Sequence, residues 1–572
     1  MRIALTSRRV MWLAFLGILM SLPSFAVGFF CDDYIHQLAL RGGGVGWARP
    51  FDLYRFAIGD ALGVQQLITH GPFTWWADPA IRAAFFRPIP SALLGLDFAL
   101  FGQSPIGYHV QTVLWYGAFI AATGAFYRRV LPPALPFLAL VFFVIDAGHA
   151  SSLGWLAARY AIITATFSTA ALWGYWRFRS TGSKASLGLA LAAYGISLAC
   201  AESALGLPCF LAAYEVFSTD KWSKRARALT PFAVLTLGYL VLHRVGGYGT
   251  SGSGLYDDPL FDPLRYLWVS PSRLVMLIGG LVANSPLDAG LLMAEMEVPL
   301  LLIGAVLAFL FGCLFRATLR ASSDEDRRTL SRLALGSVLA LVPSLGAPPG
   351  SRLLTFASVG GAPVVAAVVL HAWPSKWQRY AATGLLACKL LWSPVFFFAQ
   401  LVAPEVRNIA SRRTLSKLVT MEHHPNVVIF RVTDPFVGIY GPFTLAMEDG
   451  VHFENWNLLA ATSHPMRITR IGTRELDVAI LGGSLLDSPL EQVWRRDHEL
   501  PVGFRAHTES FDVRVTEAKE NRPTRLAVTL NDDVDSKRTA YLVQTPDGLV
   551  PFAFPVVGDS VELPAGPSPF AP

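Results

Sequence analysis

Two adjacent carboxylates, Asp32 and Asp33, stand where an apolar run that begins at Val10 stops at Phe29-Phe30-Cys31. A carboxylate at such an edge can accept a proton from a hydroxyl, or merely face water where a helix leaves a bilayer. Arg87, His149, Arg159, Glu202 and Arg352 recur in the same way at the ends of later apolar runs. Taken singly, each is what an ordinary helix end carries. Gathered on one face, an acidic pair and several arginines suit a substrate with an anionic phosphate at headgroup level and a lipid tail. Either Asp32 or Asp33 would deprotonate an acceptor while guanidinium forks hold the departing phosphate.

Whether these residues share a face depends on the helices that carry them. The chain of 572 residues is 53% hydrophobic and 15% charged, with a mean hydropathy of +0.44. That is too apolar for a soluble protein of this length and reads as a polytopic α-helical membrane protein. The net charge of +6 sits in short basic clusters between apolar runs, so it reports loop topology and not nucleic-acid binding. Cys31, Cys200, Cys209, Cys313 and Cys388 have no paired or metal-ligand spacing, and imply neither a disulfide framework nor a zinc site.

About 20 apolar residues cross a bilayer core. Arg2, Arg8 and Arg9 precede the first run, which places Asp32 and Asp33 on the non-cytoplasmic side. Pro23-Ser24-Phe25-Ala26 also fits a signal-peptide cleavage site, but apolarity continues to Phe30 and favours a retained anchor. Later apolar runs alternate with basic clusters at Arg128-Arg129, Arg177 to Lys184, Lys221 to Arg227, Arg316 to Arg332 and Lys376 to Arg379. The pattern predicts roughly ten to twelve membrane-embedded helices over residues 1–402, with the candidate residues outside. The outer loop 31–87 is too polar to span. Its Arg41-Gly42-Gly43-Gly44, Trp75-Trp76 and Phe85-Phe86-Arg87-Pro88 predict short interfacial helices lying on the membrane.

After Val402 the composition changes. Arg407, Arg412, Arg413 and Lys417 mark a linker over 403–424, and period-two patterns such as Val427 to Val432, Met466 to Ile471 and Phe511 to Val515 predict strands. Ile471-Gly472-Thr473 and Pro546-Asp547-Gly548 fit hairpin turns. Residues 425–572 therefore read as an antiparallel β-rich soluble domain, extracytoplasmic by helix parity, ending in a frayed tail from Pro564 to Pro572.

The order Phe30-Cys31-Asp32-Asp33-Tyr34, Phe86-Arg87-Pro88, His149 with Trp155-Leu156-Ala157-Ala158-Arg159, Glu202-Ser203-Ala204 with Pro208, and Pro343 to Arg352-Leu353-Leu354 spans about residues 8 to 400. It resembles the GT-C superfamily of integral-membrane glycosyltransferases, and within it the protein O-mannosyltransferase branch and its bacterial relatives. The resemblance implies a polyprenyl-phosphate-linked sugar donor, an acidic residue of the first outer loop acting on the acceptor, and an outward-facing site in the cytoplasmic (inner) membrane. The acceptor would be a protein, a lipid or an envelope glycan. Arg87, Arg159 and Arg352 become donor-phosphate candidates, with His149 and Glu202 either touching substrate or bracing helix ends. Two positions depart from the family pattern: Asp-Asp stands where many members carry Asp-Glu, and Ala201 precedes Glu202 where relatives often have Lys. Some members bind a divalent metal and others do not, so metal use stays open. Two other readings remain: a non-catalytic lipid-linked saccharide transporter, which should show internal repeats, and a membrane-anchored glycan-binding protein acting through residues 425–572.

Overall fold

The structure is a computed structural model and describes residues 4–43, 46–371, 373–420, 424–497 and 499–566. Arg2, Gly44 and the tail from residue 567 onward lie outside the described residues. The first span is the helix Ser7–Ser21 continued by a 3-10 turn, Leu22–Ala26. Thr6 opens it by accepting the Arg9 N–H. Residues 27–30 leave the helix, although they are still apolar, and Cys31 takes a φ of 51°. That conformation is costly for a residue with a β-carbon, and it turns the chain abruptly into a new helix, Asp32–Leu40. The acidic pair thus occupies the first turn of a separate helix and does not cap the span.

Among the described residues, five helices are long and apolar enough to cross a membrane: Ser7–Ala26, Trp222–Val245, Pro263–Ala283, Glu297–Ala321 and Lys376–Thr420. A sixth span results if the bent pair Pro136–Val144 and Ala147–Gly154 counts as one. Pro88–Phe101, Lys184–Leu198 and Ser358–Leu370 are apolar but shorter. The helices Pro105–Val130 and Tyr160–Thr181 lie inside the bundle and bury Thr, Tyr and Ser side chains there. Polar groups such as the Tyr116, Tyr127, Thr164 and Ser168 hydroxyls bond within the bundle, so these helices need less hydropathy than a lipid-facing span. This is why fewer helices pass by composition than the roughly ten to twelve counted from apolar runs.

Buried ion pairs pin the bundle. Arg159 meets Asp97 at 2.6 Å and Lys389 meets Asp146 at 2.9 Å, all four side chains being nearly inaccessible. Removing one member strands a buried charge, so Asp97→Ala is expected to destabilise the protein by about 3–5 kcal/mol. A melting temperature in detergent equal to that of the parent would rule this out.

Residues 424–566 hold two sheets. One is six-stranded and antiparallel, in spatial order Ser560–Leu563, Met466–Arg470, Glu475–Ile480, Arg522–Leu530, Phe511–Lys519 and Arg505–His507. The other is mixed: Asn426–Arg431 runs parallel to both Asn455–Leu458 and Thr539–Thr545, and Gly548–Pro551 closes it antiparallel. The parallel pairing requires a crossover, which the helix Pro435–Glu448 supplies. Both turns read from the sequence join antiparallel neighbours.

The outer segment departs most from its sequence reading. It does contain two helices, Asp32–Leu40 and Ala61–His70. Trp75 and Trp76, however, are enclosed by protein and do not face outward; each is 2% exposed. Their indole N–H groups donate to the carbonyls of Leu459 at 2.8 Å and Glu491 at 3.1 Å. With Ala57, Val64 and Ile68 they share one apolar core with side chains from Leu415 to Leu563. An indole needs an apolar bed and one acceptor, and a protein surface can supply both as well as a bilayer interface does. Residues 403–420, read as a linker, are helical and continue the Ser393–Thr420 helix. The β-rich domain therefore packs on the end of the bundle that carries Asp32.

Candidate active site

A cavity of about 760 Å³ lies where the bundle, the outer segment and the C-terminal domain meet. Asp32, Arg87, Glu202 and Arg352 line it; Asp33, His149 and Arg159 do not.

The acidic pair divides because successive residues at a helix start point in different directions. Asp33 is buried and turns inward, its two oxygens accepting the backbone N–H groups of Phe30 at 3.0 Å and Ala157 at 2.7 Å. Burial pushes its carboxyl up to about 8, with the two backbone donors pulling the other way. Asp32 is half-buried and faces the cavity, where Oδ1 accepts the Tyr440 hydroxyl at 2.7 Å. Burial raises its carboxyl too, while the Tyr440 O–H and the Arg352 and Arg87 charges pull it back. Tyr440 belongs to the C-terminal helix Pro435–Glu448, whose Phe436, Ile439 and Phe443 also line the cavity.

The three arginines separate just as clearly. Arg159 is fully committed to Asp97 and to the Tyr108 carbonyl at 3.2 Å, inside the bundle. Arg87 meets Glu202 at 3.1 Å and stacks over the ring of Tyr160, 3.6 Å from its centroid, with Phe85 and Tyr54 beside it. Arg352 is different. It sits over Trp155 at 5.6 Å, its Nε has no hydrogen-bond partner, and it forms no ion pair among the described residues. The turn Ser351–Leu354 holds it there, because Asp288 accepts from the Ser351 N–H and hydroxyl and from Gln400 Nε2. Asp288 is thus occupied with the backbone of the turn. The guanidinium beside it keeps donors for an anion.

His149 is fully buried between Phe143, Tyr116 and Phe119, ring centroids 4.8, 5.6 and 5.6 Å away. It fills the bend between Pro136–Val144 and Ala147–Gly154, which Asp146 stabilises by accepting the Gly148 N–H. Sequence reading missed Tyr440, Tyr256, Asp288, Gln400 and Arg407, all of which line the cavity. Arg407, which the sequence places in a linker, lies on the same helix as Gln400, and its guanidinium is 5.5 Å from the Phe436 ring centre. Continuing the helix period past Val402 would have found it. Among the described residues, no three His, Cys, Asp or Glu side chains are grouped to hold a metal ion.

No protein-family model matches the chain, and no curated protein matches it. Solved structures do show likeness. ArnT from Cupriavidus metallidurans bound to undecaprenyl phosphate aligns at a TM-score of 0.40 and 14% identity, over 74% of this chain and 82% of that one. The Archaeoglobus fulgidus oligosaccharyltransferase tethered with an acceptor peptide aligns at 0.37 and 11%, over 78% and 64%. The arabinofuranosyltransferase AftD from Mycobacteria aligns at 0.33 and 12%, over 76% and 30%. This chain therefore spans less than two thirds of the latter two. The likeness is one of overall layout, and no residue role passes from it to this chain.

Proposed function

We infer that the protein is a membrane glycosyltransferase that moves a sugar from a polyprenyl-phosphate-type donor to an acceptor hydroxyl or amide. One observation carries this reading: Asp32, oriented by Tyr440, shares a largely apolar cavity with Arg352, which has no ion-pair partner among the described residues. In the reaction, Asp32 takes the acceptor proton and the acceptor atom bonds to the sugar's anomeric carbon. The bond from that carbon to the phosphate oxygen breaks, and the lipid phosphate leaves with the electron pair toward Arg352. The apolar walls suit the prenyl chain and exclude water from the transfer. In this reading the site and the β-rich domain face the extracytoplasmic side of the inner membrane.

Mass analysis of lipid-linked sugars and envelope glycans in cells with and without the gene tests it. An accumulated donor together with a lost glycan is expected; identical profiles would sink the reading. The base assignment has its own test through pH. Tyr440→Phe removes a hydrogen bond that favours the Asp32 carboxylate, so the Asp32 pKa rises further. A general base acts only when ionised, so the acidic limb of the rate profile should move to higher pH. Superimposable profiles for Tyr440→Phe and the parent would contradict that coupling.

A further inference from the structure

Beside Arg87 the cavity wall holds three polar atoms without hydrogen-bond partners among the described residues. Glu202 Oε1, the Tyr239 hydroxyl and His243 Nε2 are each buried and lack a hydrogen bond among the described residues. All three residues line the same cavity, and the Tyr239 and His243 rings lie 5.7 Å apart, one turn along the Trp222–Val245 helix. Buried polar atoms are almost always satisfied, and each one left bare costs about 1–3 kcal/mol. Three such atoms on residues that line one cavity mark a place built for something that supplies hydrogen bonds.

The chemistry of that something follows from charge. The other Glu202 oxygen is held by Arg87 at 3.1 Å, so the carboxylate and guanidinium neutralise each other. Arg87 itself is spread over Tyr160, which anchors the pair. What remains is an uncharged rim with an acceptor at Glu202, a hydroxyl that both donates and accepts at Tyr239, and an imidazole nitrogen that does either. Vicinal hydroxyls of a sugar ring match this set. A carboxylated sugar or a phosphate would find Arg87, the guanidinium beside this set, already paired with Glu202.

We propose that Glu202, Tyr239 and His243 form a sugar-recognition subsite for a neutral, hydroxyl-rich ring within the cavity that Arg352 also lines. This rests on the glycosyltransferase reading for its placement but not for its test. Two sources supply the same chemistry: the sugar on the lipid donor, and a sugar already on the acceptor.

The test uses full-length protein in detergent and the variant Tyr239→Phe, which removes one hydroxyl that has no hydrogen-bond partner among the described residues and so should leave the melting temperature unchanged or raised. The probes are polyprenyl phosphate alone, polyprenyl phosphate carrying a neutral hexose or pentose, and the same lipid carrying a uronic acid. If the donor sugar fills the subsite, Tyr239→Phe loses about 3- to 30-fold in affinity for the neutral glycolipid and nothing for bare polyprenyl phosphate. The parent also binds the uronic-acid lipid more weakly than the neutral one. If the acceptor sugar fills it, glycolipid affinity is unchanged and the same loss appears with free neutral oligosaccharides. Equal affinities of parent and variant for every sugar-bearing probe overturn the subsite. Should the parent bind no polyprenyl phosphate at all, the donor reading fails, and the oligosaccharide arm still decides the subsite.

Discussion

Replacing Asp32 with Asn is expected to lower sugar transfer by about 10²–10⁴-fold while the chain folds and inserts normally. The carboxylate faces the cavity, and its hydrogen bond from the Tyr440 hydroxyl at 2.7 Å can still be accepted by the Asn carbonyl. Size and most of the bonding persist; the proton acceptor is lost. Asp33→Asn should behave in the opposite way. Each Asp33 oxygen receives a backbone N–H, from Phe30 and from Ala157. An amide nitrogen cannot accept either, so one buried N–H would face another donor, at a cost of about 1–3 kcal/mol. The expected signature is a lower melting temperature for Asp33→Asn and an unchanged one for Asp32→Asn. Parental transfer rates in Asp32→Asn would remove this carboxylate from the mechanism, whatever Asp33 does.

That contrast also shows where sequence stops. Asp32-Asp33 reads as one acidic pair, and nothing in the spacing says which carboxylate faces the cavity. The difference comes from Cys31, whose φ of 51° starts a new helix at Asp32 and turns Asp33 toward Ala157, 124 positions away. Arg87, Arg159 and Arg352 are equally alike as helix-end arginines. Their fates are set by partners remote in sequence, Glu202 for Arg87 and Asp97 for Arg159. The helical bundle and the strands of the C-terminal domain were legible because period and hydropathy are local properties. The docking of Trp75 and Trp76 was not, since a headgroup layer and a domain surface offer an indole the same two things. Tyr440 was hidden for a related reason: it lies on a crossover helix within a region whose pattern is otherwise that of strands.

Arg352 is where the second large effect is expected. Arg352→Ala should lower transfer by about 10²–10³-fold, the loss typical of removing a donor aimed at developing negative charge. Arg352→Lys should recover only part of it, because an ammonium keeps the charge but lacks the planar fork that grips a phosphate with two parallel hydrogen bonds. Neither change should cost much stability, since Arg352 forms no ion pair among the described residues and Ser351 and Asp288, not its own head group, hold the turn in place. Arg159→Lys and Arg87→Lys are different in kind: they disturb Asp97 and Glu202, so lost activity there would come with lost stability. The competing role for Arg352 is packing, with the guanidinium lying over Trp155 and its stem against the cavity wall. Guanidinium ion added to Arg352→Ala separates the two. Partial recovery of transfer, together with weakened binding of polyprenyl phosphate in the variant, is the result expected of a phosphate clamp. Parental affinity for that lipid in both Arg352→Ala and Arg352→Lys would leave the arginine as a packing residue.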